Sequence, residues 1–198
     1  RQIFQLVKIL GDFPNTIYVL AFDRNVVVKA LAKVQEGCGN EYLEKIVQFP
    51  VELPPVSKFD LDKIFFESLD EIVKEIPEEK WNNTHWGNIW HSGVKHYFKT
   101  IRDVTRYINT FKFAFEMVRD DVNPVDFIAI ATLQVFEPEL YSGIRDNKDL
   151  FCGVLERGLN SNDADKKQTI ARFDEVLKRS QILNNDRLKD FLGRLFPK

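Results

Sequence analysis

The sequence predicts a mainly α-helical chain that opens on one or two short strands, the remainder of a reduced α/β core. Three observations lead there. Residues 16–22 are an apolar run bounded by Phe13-Pro14-Asn15 in front and Asp23-Arg24 behind, the pattern of a strand buried on both faces. Residues 49–53 alternate and stop at Pro54-Pro55, which fits an edge strand because proline cannot donate in a central ladder. Beyond Pro55 every apolar repeat has helical spacing. Strands buried on both faces belong to parallel sheets, and ligands gather at their carboxyl ends. Asp23 and Arg24 occupy that end, yet the chain supplies almost no further strands. The open edge is expected to be covered, by the chain's own helices or by a second copy.

The elements follow in order. Ile3, Phe4, Leu6, Val7 and Leu10 recur at helical spacing up to Gly11. A turn over 12–15 leads into the first strand. Asn25 is read as the cap of the next helix, with Val26, Val27, Ala30, Leu31 and Val34 on its apolar face and Gly37 and Gly39 breaking it. Tyr42, Leu43, Ile46 and Val47 form a short helix. Leu61, Ile64, Phe65, Leu69, Ile72 and Val73 line an amphipathic helix that starts near Asp60 and is ended by Pro77. Residues 82–98 are helical with a break near Gly93. Thr100 caps a helix striped by Ile101, Val104, Ile108, Phe111 and Phe115. Asn123-Pro124 combines a cap with a first-turn proline and opens a helix to Phe136, which Pro138 stops. Residues 157–163 are a polar linker, and two amphipathic helices follow near 164–180 and 185–196.

Composition excludes several classes. At 198 residues, with 44% hydrophobic and 29% charged content, the chain reads as an ordinary soluble globular protein. No stretch reaches the roughly 20 apolar residues of a membrane span, and no signal peptide is visible. The two cysteines, Cys38 and Cys152, are read as free thiols in a reducing, cytoplasmic setting. Acidic residues exceed basic ones over 57–80, and the balance reverses over 81–120 and 157–198. These are read as solvated helix faces, and nucleic acid is not an expected partner because no recognition motif accompanies them. The chain does not begin with Met, which is read as a truncated or cleaved start.

Several blocks together carry a resemblance. They are Asp12-Phe13-Pro14-Asn15, the stretch Tyr18 to Arg24, Tyr42 to Pro50, Ile101 to Asn109, Asn123-Pro124-Val125-Asp126 and Val135-Phe136-Glu137-Pro138. In order and spacing they resemble the KAP family of P-loop NTPases over roughly residues 1–156. That family is related to AAA+ and STAND ATPases and includes phage-exclusion proteins and animal membrane scaffolds. The resemblance implies a remnant of an α/β P-loop core over 1–56, a helical lid-like domain over 57–156 and a helical tail over 157–198. It also implies that the intact protein binds ATP and Mg²⁺, probes the γ-phosphate and switches conformation or assembly. The Gly-x-x-x-x-Gly-Lys-Ser/Thr loop that cradles phosphates is absent from these 198 residues, as is the acidic metal-binding strand. The expectation is therefore a C-terminal part, inactive and without cofactor alone, whose partner is the N-terminal half of the core.

The resemblance assigns candidate roles. Asp23 would orient the attacking water, against the alternatives of a helix cap or an ion pair with Arg24. Arg102, in the first turn of its helix, resembles the second sensor arginine, since a guanidinium grips phosphate bidentately. Arg106, one turn on, is a weaker nucleotide contact, with a surface pairing to Asp103 as its alternative. Lys45 would stand in for the finger that reaches a neighbouring subunit in a homo-oligomer. His85, His91 and His96 lack the spacing of a metal site. Trp81, Trp86, Trp90, Tyr97 and Phe98 are read as core, or else as a protein-partner surface over 81–98. Glu137 and Glu139 read as a solvated loop. The competing function is a helical interaction module without nucleotide chemistry.

Overall fold

The computed structural model describes residues 2–10, 13–33, 39–152 and 163–197. They fall into two compact units, 1–54 and 55–198.

The first unit holds three helices: α1 (Gln2–Leu10), α2 (Arg24–Ala32) and α3 (Gly39–Glu44). Its small core is Phe4, Leu31 and Leu43, with Leu20, Val27, Val28, Tyr42, Ile46 and Val47 packed against it. Gly39 belongs to the start of α3 rather than to a break. A Cβ there would come within 2.3 Å of the Val28 carbonyl oxygen, so only glycine lets α3 begin this close to α2. The turn before the extended segment contains Asn15 at φ 60, a left-handed conformation that asparagine tolerates. Val34 and Gly37 lie outside the described residues.

No strand forms among the described residues, which corrects the expectation of one or two. Residues 16–22 run outside any regular element, and their apolar side chains divide between two faces. Leu20 packs on the small core and Phe22 meets Phe4 edge-on at 5.2 Å. Ile17 and Val19 are each 90% exposed. The run is therefore buried on one face, not two, and the expected cover is not present among the described residues. Residues 49–53 do not pair with it: Phe49 and Leu53 are 83% and 87% exposed. A ladder needs a second strand to take its N–H and C=O groups.

The second unit is all helical. It contains α4 (Lys58–Val73), α5 (Asn83–Ser92), α6 (Ile101–Val118), α7 (Pro124–Phe136), α8 (Pro138–Asp146), α9 (Lys148–Cys152), α10 (Asp163–Leu177) and α11 (Asn185–Leu195). Short 3₁₀ turns cover Glu78–Lys80 and Val94–His96. Caps set most boundaries. Ser57 rather than Asp60 caps α4, its hydroxyl accepting the Asp60 N–H at 3.1 Å. Thr100 and Asp103 form a capping box for α6. Asn123 accepts from Val125 and Asp126 ahead of Pro124. Pro138 ends α7 and also opens α8, where a first-turn proline loses no hydrogen bond.

One continuous core joins α4 through α11. Phe65 is its hub: it stacks on Trp90 at 5.0 Å and meets Phe98 at 4.5 Å and Tyr107 at 5.8 Å. Trp81, Trp86 and Trp90 pack into this cluster with Tyr97 and Phe98, as the core reading expects. Gly93 lies under the Phe191 ring, which a Cβ would meet at 2.3 Å, so the α5–α11 contact depends on that missing side chain. No helix among the described residues is long and apolar enough to cross a membrane.

Candidate functional site

Asp23 is the N-cap of α2. Its backbone is extended (φ -79, ψ 116) and its carboxylate accepts the Val26 N–H at 3.0 Å. The cap is thus Asp23 and not Asn25: the helical bonds begin with Val27 N–H to the Asp23 carbonyl at 3.0 Å, two residues earlier than read from the sequence. Arg24 does not pair with Asp23 but reaches Asn40 Oδ1 at 3.5 Å, linking the starts of α2 and α3. Lys45 is exposed in the turn after α3.

Arg102 is exposed at the second position of α6. A cation at the positive end of a helix is disfavoured by ~0.3–1 kcal/mol, so Arg102 is not there for helix stability. Asp103 supplies the favourable charge instead. Its Oδ2 accepts Thr100 N–H at 2.9 Å and Lys99 N–H at 3.2 Å. That commitment removes the expected partner of Arg106, whose guanidinium lies 4.9 Å over the Phe136 ring. Arg106 is held by a cation–π contact of about 0.5–1 kcal/mol, whereas Arg102 makes no ion pair or hydrogen bond among the described residues. Asp23 and Lys45 belong to the first unit, Arg102 and Arg106 to the second.

The histidines take separate roles. His85 Nε2 pairs with Asp126 Oδ1 at 2.7 Å, joining α5 to α7. His91 Nδ1 lies 3.2 Å from Lys95 Nζ. Burial first, then the charges of Arg187, Lys95 and Lys58, push His96 below the ordinary imidazole range. Among the described residues no group of three ligands could hold a metal. Cys152 is an exposed free thiol; Cys38 lies outside the described residues.

Glu137 departs most from its reading as a loop acid, for it is buried. Its Oε1 accepts from the Ser180 hydroxyl at 2.7 Å and from Ile182 N–H at 3.1 Å, and its Oε2 accepts Gln181 N–H at 2.8 Å. The Tyr97 hydroxyl donates at 3.4 Å. Burial, and secondarily the Glu137 charge, push the Tyr97 phenol far above its usual range, so it stays a donor. The carboxylate therefore clamps the α7–α8 corner to the turn between α10 and α11. Its partners lie 40 or more residues away in sequence, so no local pattern announces it.

The Phage T7 exclusion protein of Escherichia coli (strain K12) is 25% identical to this chain over 145 residues, which is 71% of the chain and 19% of that protein. The chain thus spans about a fifth of that relative's length. No solved structure matches. The KAP family P-loop domain matches residues 1–118, more than half of the chain, and the protein belongs to the KAP family of P-loop NTPases.

Proposed function

We propose that this chain is the C-terminal part of a KAP-type ATPase whose intact form binds Mg²⁺·ATP and hydrolyses it to drive a conformational or assembly switch in phage exclusion. The family match over 1–118 carries this reading. The relative named as a phage exclusion protein supports the biological setting. The bare face of Ile17 and Val19 supports a sheet completed by the half of the core that bears the phosphate loop. With no such loop in these residues, ATP and Mg²⁺ belong to the intact protein, and the chain alone carries no cofactor.

In this reading Asp23, fixed by its cap bond, orients the attacking water at the end of the sensor segment. Arg102, displayed at a helix end where it has no stabilising task, grips the γ-phosphate and couples it to movement of the helical unit. Arg106, held over Phe136, is a lesser contact. Lys45 reaches the nucleotide of a neighbouring copy in a homo-oligomer. The test uses the longer protein that carries its phosphate loop. Arg102→Ala should lower kcat by about 10²-fold or more while ATP still binds, the scale of losing one preorganised transition-state donor. Asp23→Asn should act in the same direction. Unchanged kcat in both variants would overturn the assignment. The chain alone should show no micromolar affinity for ATP by calorimetry.

A further inference from the structure

Lys58, Lys95, His96 and Lys99, with Val56, Leu61 and Phe98, line a concavity of about 350 Å³ in the second unit. That is the small end of the ~300–1,000 Å³ range of ligand clefts. Three lysines line it and no acidic residue does, although Asp62 sits on Lys58 at 2.7 Å. Lys58 is held in place: its Nζ donates to the Lys95 carbonyl at 2.9 Å and to the Phe98 carbonyl at 3.3 Å, and pairs with Asp62 at 2.7 Å. These bonds tie the first residue of α4 to the turn that carries Lys95, His96 and Lys99, so the cations are gathered by the fold. Lys95 Nζ lies 3.2 Å from His91 Nδ1 and meets no carboxylate among the described residues. Lys99 Nζ has no partner among the described residues. Lys58 also opens α4, which places a positive helix end at the rim.

We propose that this concavity binds a phosphate group of a small molecule, inorganic or nucleotide-borne. Lys58 is already matched by Asp62, so Lys95 and Lys99 are the cations left for an anion, and a compact dianion offsets more of their mutual repulsion than a single carboxylate. His96, kept neutral by burial and by Arg187, Lys95 and Lys58, adds a ring N–H donor. Asp62 lies beside the hollow through its pair with Lys58, and α4 carries further acidic residues, an arrangement that repels an extended polyanion and favours a small ligand over nucleic acid. The site is independent of the ATPase reading, since it uses neither Asp23 nor Arg102.

The test follows the His96 imidazole by NMR in the full chain, titrated with inorganic phosphate and tripolyphosphate against sodium chloride of equal ionic strength. A bound dianion should raise the His96 midpoint by about one pH unit. Lys95→Gln with Lys99→Gln should weaken phosphate binding roughly tenfold or more at an unchanged urea midpoint. Should the double variant fold poorly, exposed Lys99→Gln alone carries the comparison. Tighter binding of ATP than of tripolyphosphate identifies a nucleotide as the source, and equal binding a free phosphate. An equal shift in chloride, or undiminished affinity in the variants, overturns the site. Tighter binding of single-stranded DNA than of tripolyphosphate overturns the small-ligand assignment.

Discussion

The first unit of this chain is the more apolar in sequence, yet it buries far less of that content than the second. The second closes a core in which aromatic rings from α4, α5, α6 and α7 interlock around Phe65. Among the described residues the first closes over Phe4, Leu31 and Leu43 and leaves Ile3, Ile9, Ile17, Val19, Phe49 and Leu53 to solvent. Hydrophobic burial is the dominant favourable term in folding, so the second unit carries its own stability. The first has an apolar pattern that its own helices do not use. The contrast matches the proposed division of labour: a self-sufficient helical unit, and a core remnant patterned for a sheet.

The largest expected effect lies at the aromatic hub. Phe65→Ala should destabilise the second unit by about 3–5 kcal/mol, measured by urea denaturation followed through tryptophan fluorescence, since Trp86 and Trp90 pack on that ring. Leu31→Ala, in the other core, should leave this transition unmoved because the two clusters share no residue. A common shift from both variants would show one cooperative unit and break the comparison.

A smaller loss is expected at the Glu137 clamp. Glu137→Ala leaves the Gln181 and Ile182 N–H groups without their acceptor, at roughly 1–3 kcal/mol for each donor that water cannot reach, while the Ser180 hydroxyl keeps the Leu183 carbonyl at 3.2 Å. Hydrogen exchange should localise the change, with the amides of residues 181 and 182 losing protection before those of α6. Uniform loss across the unit would mean that the clamp supports the whole core rather than the α10–α11 turn.

What could be read from sequence tracks how local each cause is. Thr100, and Asn123 with Pro124, announce helix starts because cap and proline act within three residues. The choice between Asp23 and Asn25 was less legible: either side chain can cap, and the backbone two residues earlier decides. Glu137 was illegible because its partners come from a turn far along the chain. The alternative pairing of Arg106 with Asp103 does not form because Asp103 is taken by the cap, a competition that pairwise spacing does not reveal. The strand over 16–22 was read from composition, which reports what a segment can bury but not whether a neighbour is present. The candidate site shows the same limit. The exposure of Arg102 at a helix start is local and visible, while the basic hollow joins α4 to a turn some 40 residues later and is not.

The smallest expected effect is the sharpest probe of the first unit. Val19 projects away from the Phe4–Leu31–Leu43 core, while Leu20 and Phe22 face it. Val19→Asp should therefore change the stability of this chain by no more than about 0.5 kcal/mol, the range of an ordinary surface substitution. Leu20→Asp, on the packed face, should cost clearly more. On the proposed reading, the same Val19→Asp change in a longer protein carrying the phosphate loop should cost several kcal/mol, because there it would place a charge on the covered face of a sheet. Thermal melts of the short and long chains, each with and without the substitution, give the comparison directly. An equally small effect in the long chain would mean that Val19 stays bare there too, and the sheet-completion part of the proposed function would fall. A large effect already in the short chain would mean that some other surface covers Val19 in solution, and the expectation of a covered edge would be met without the missing half.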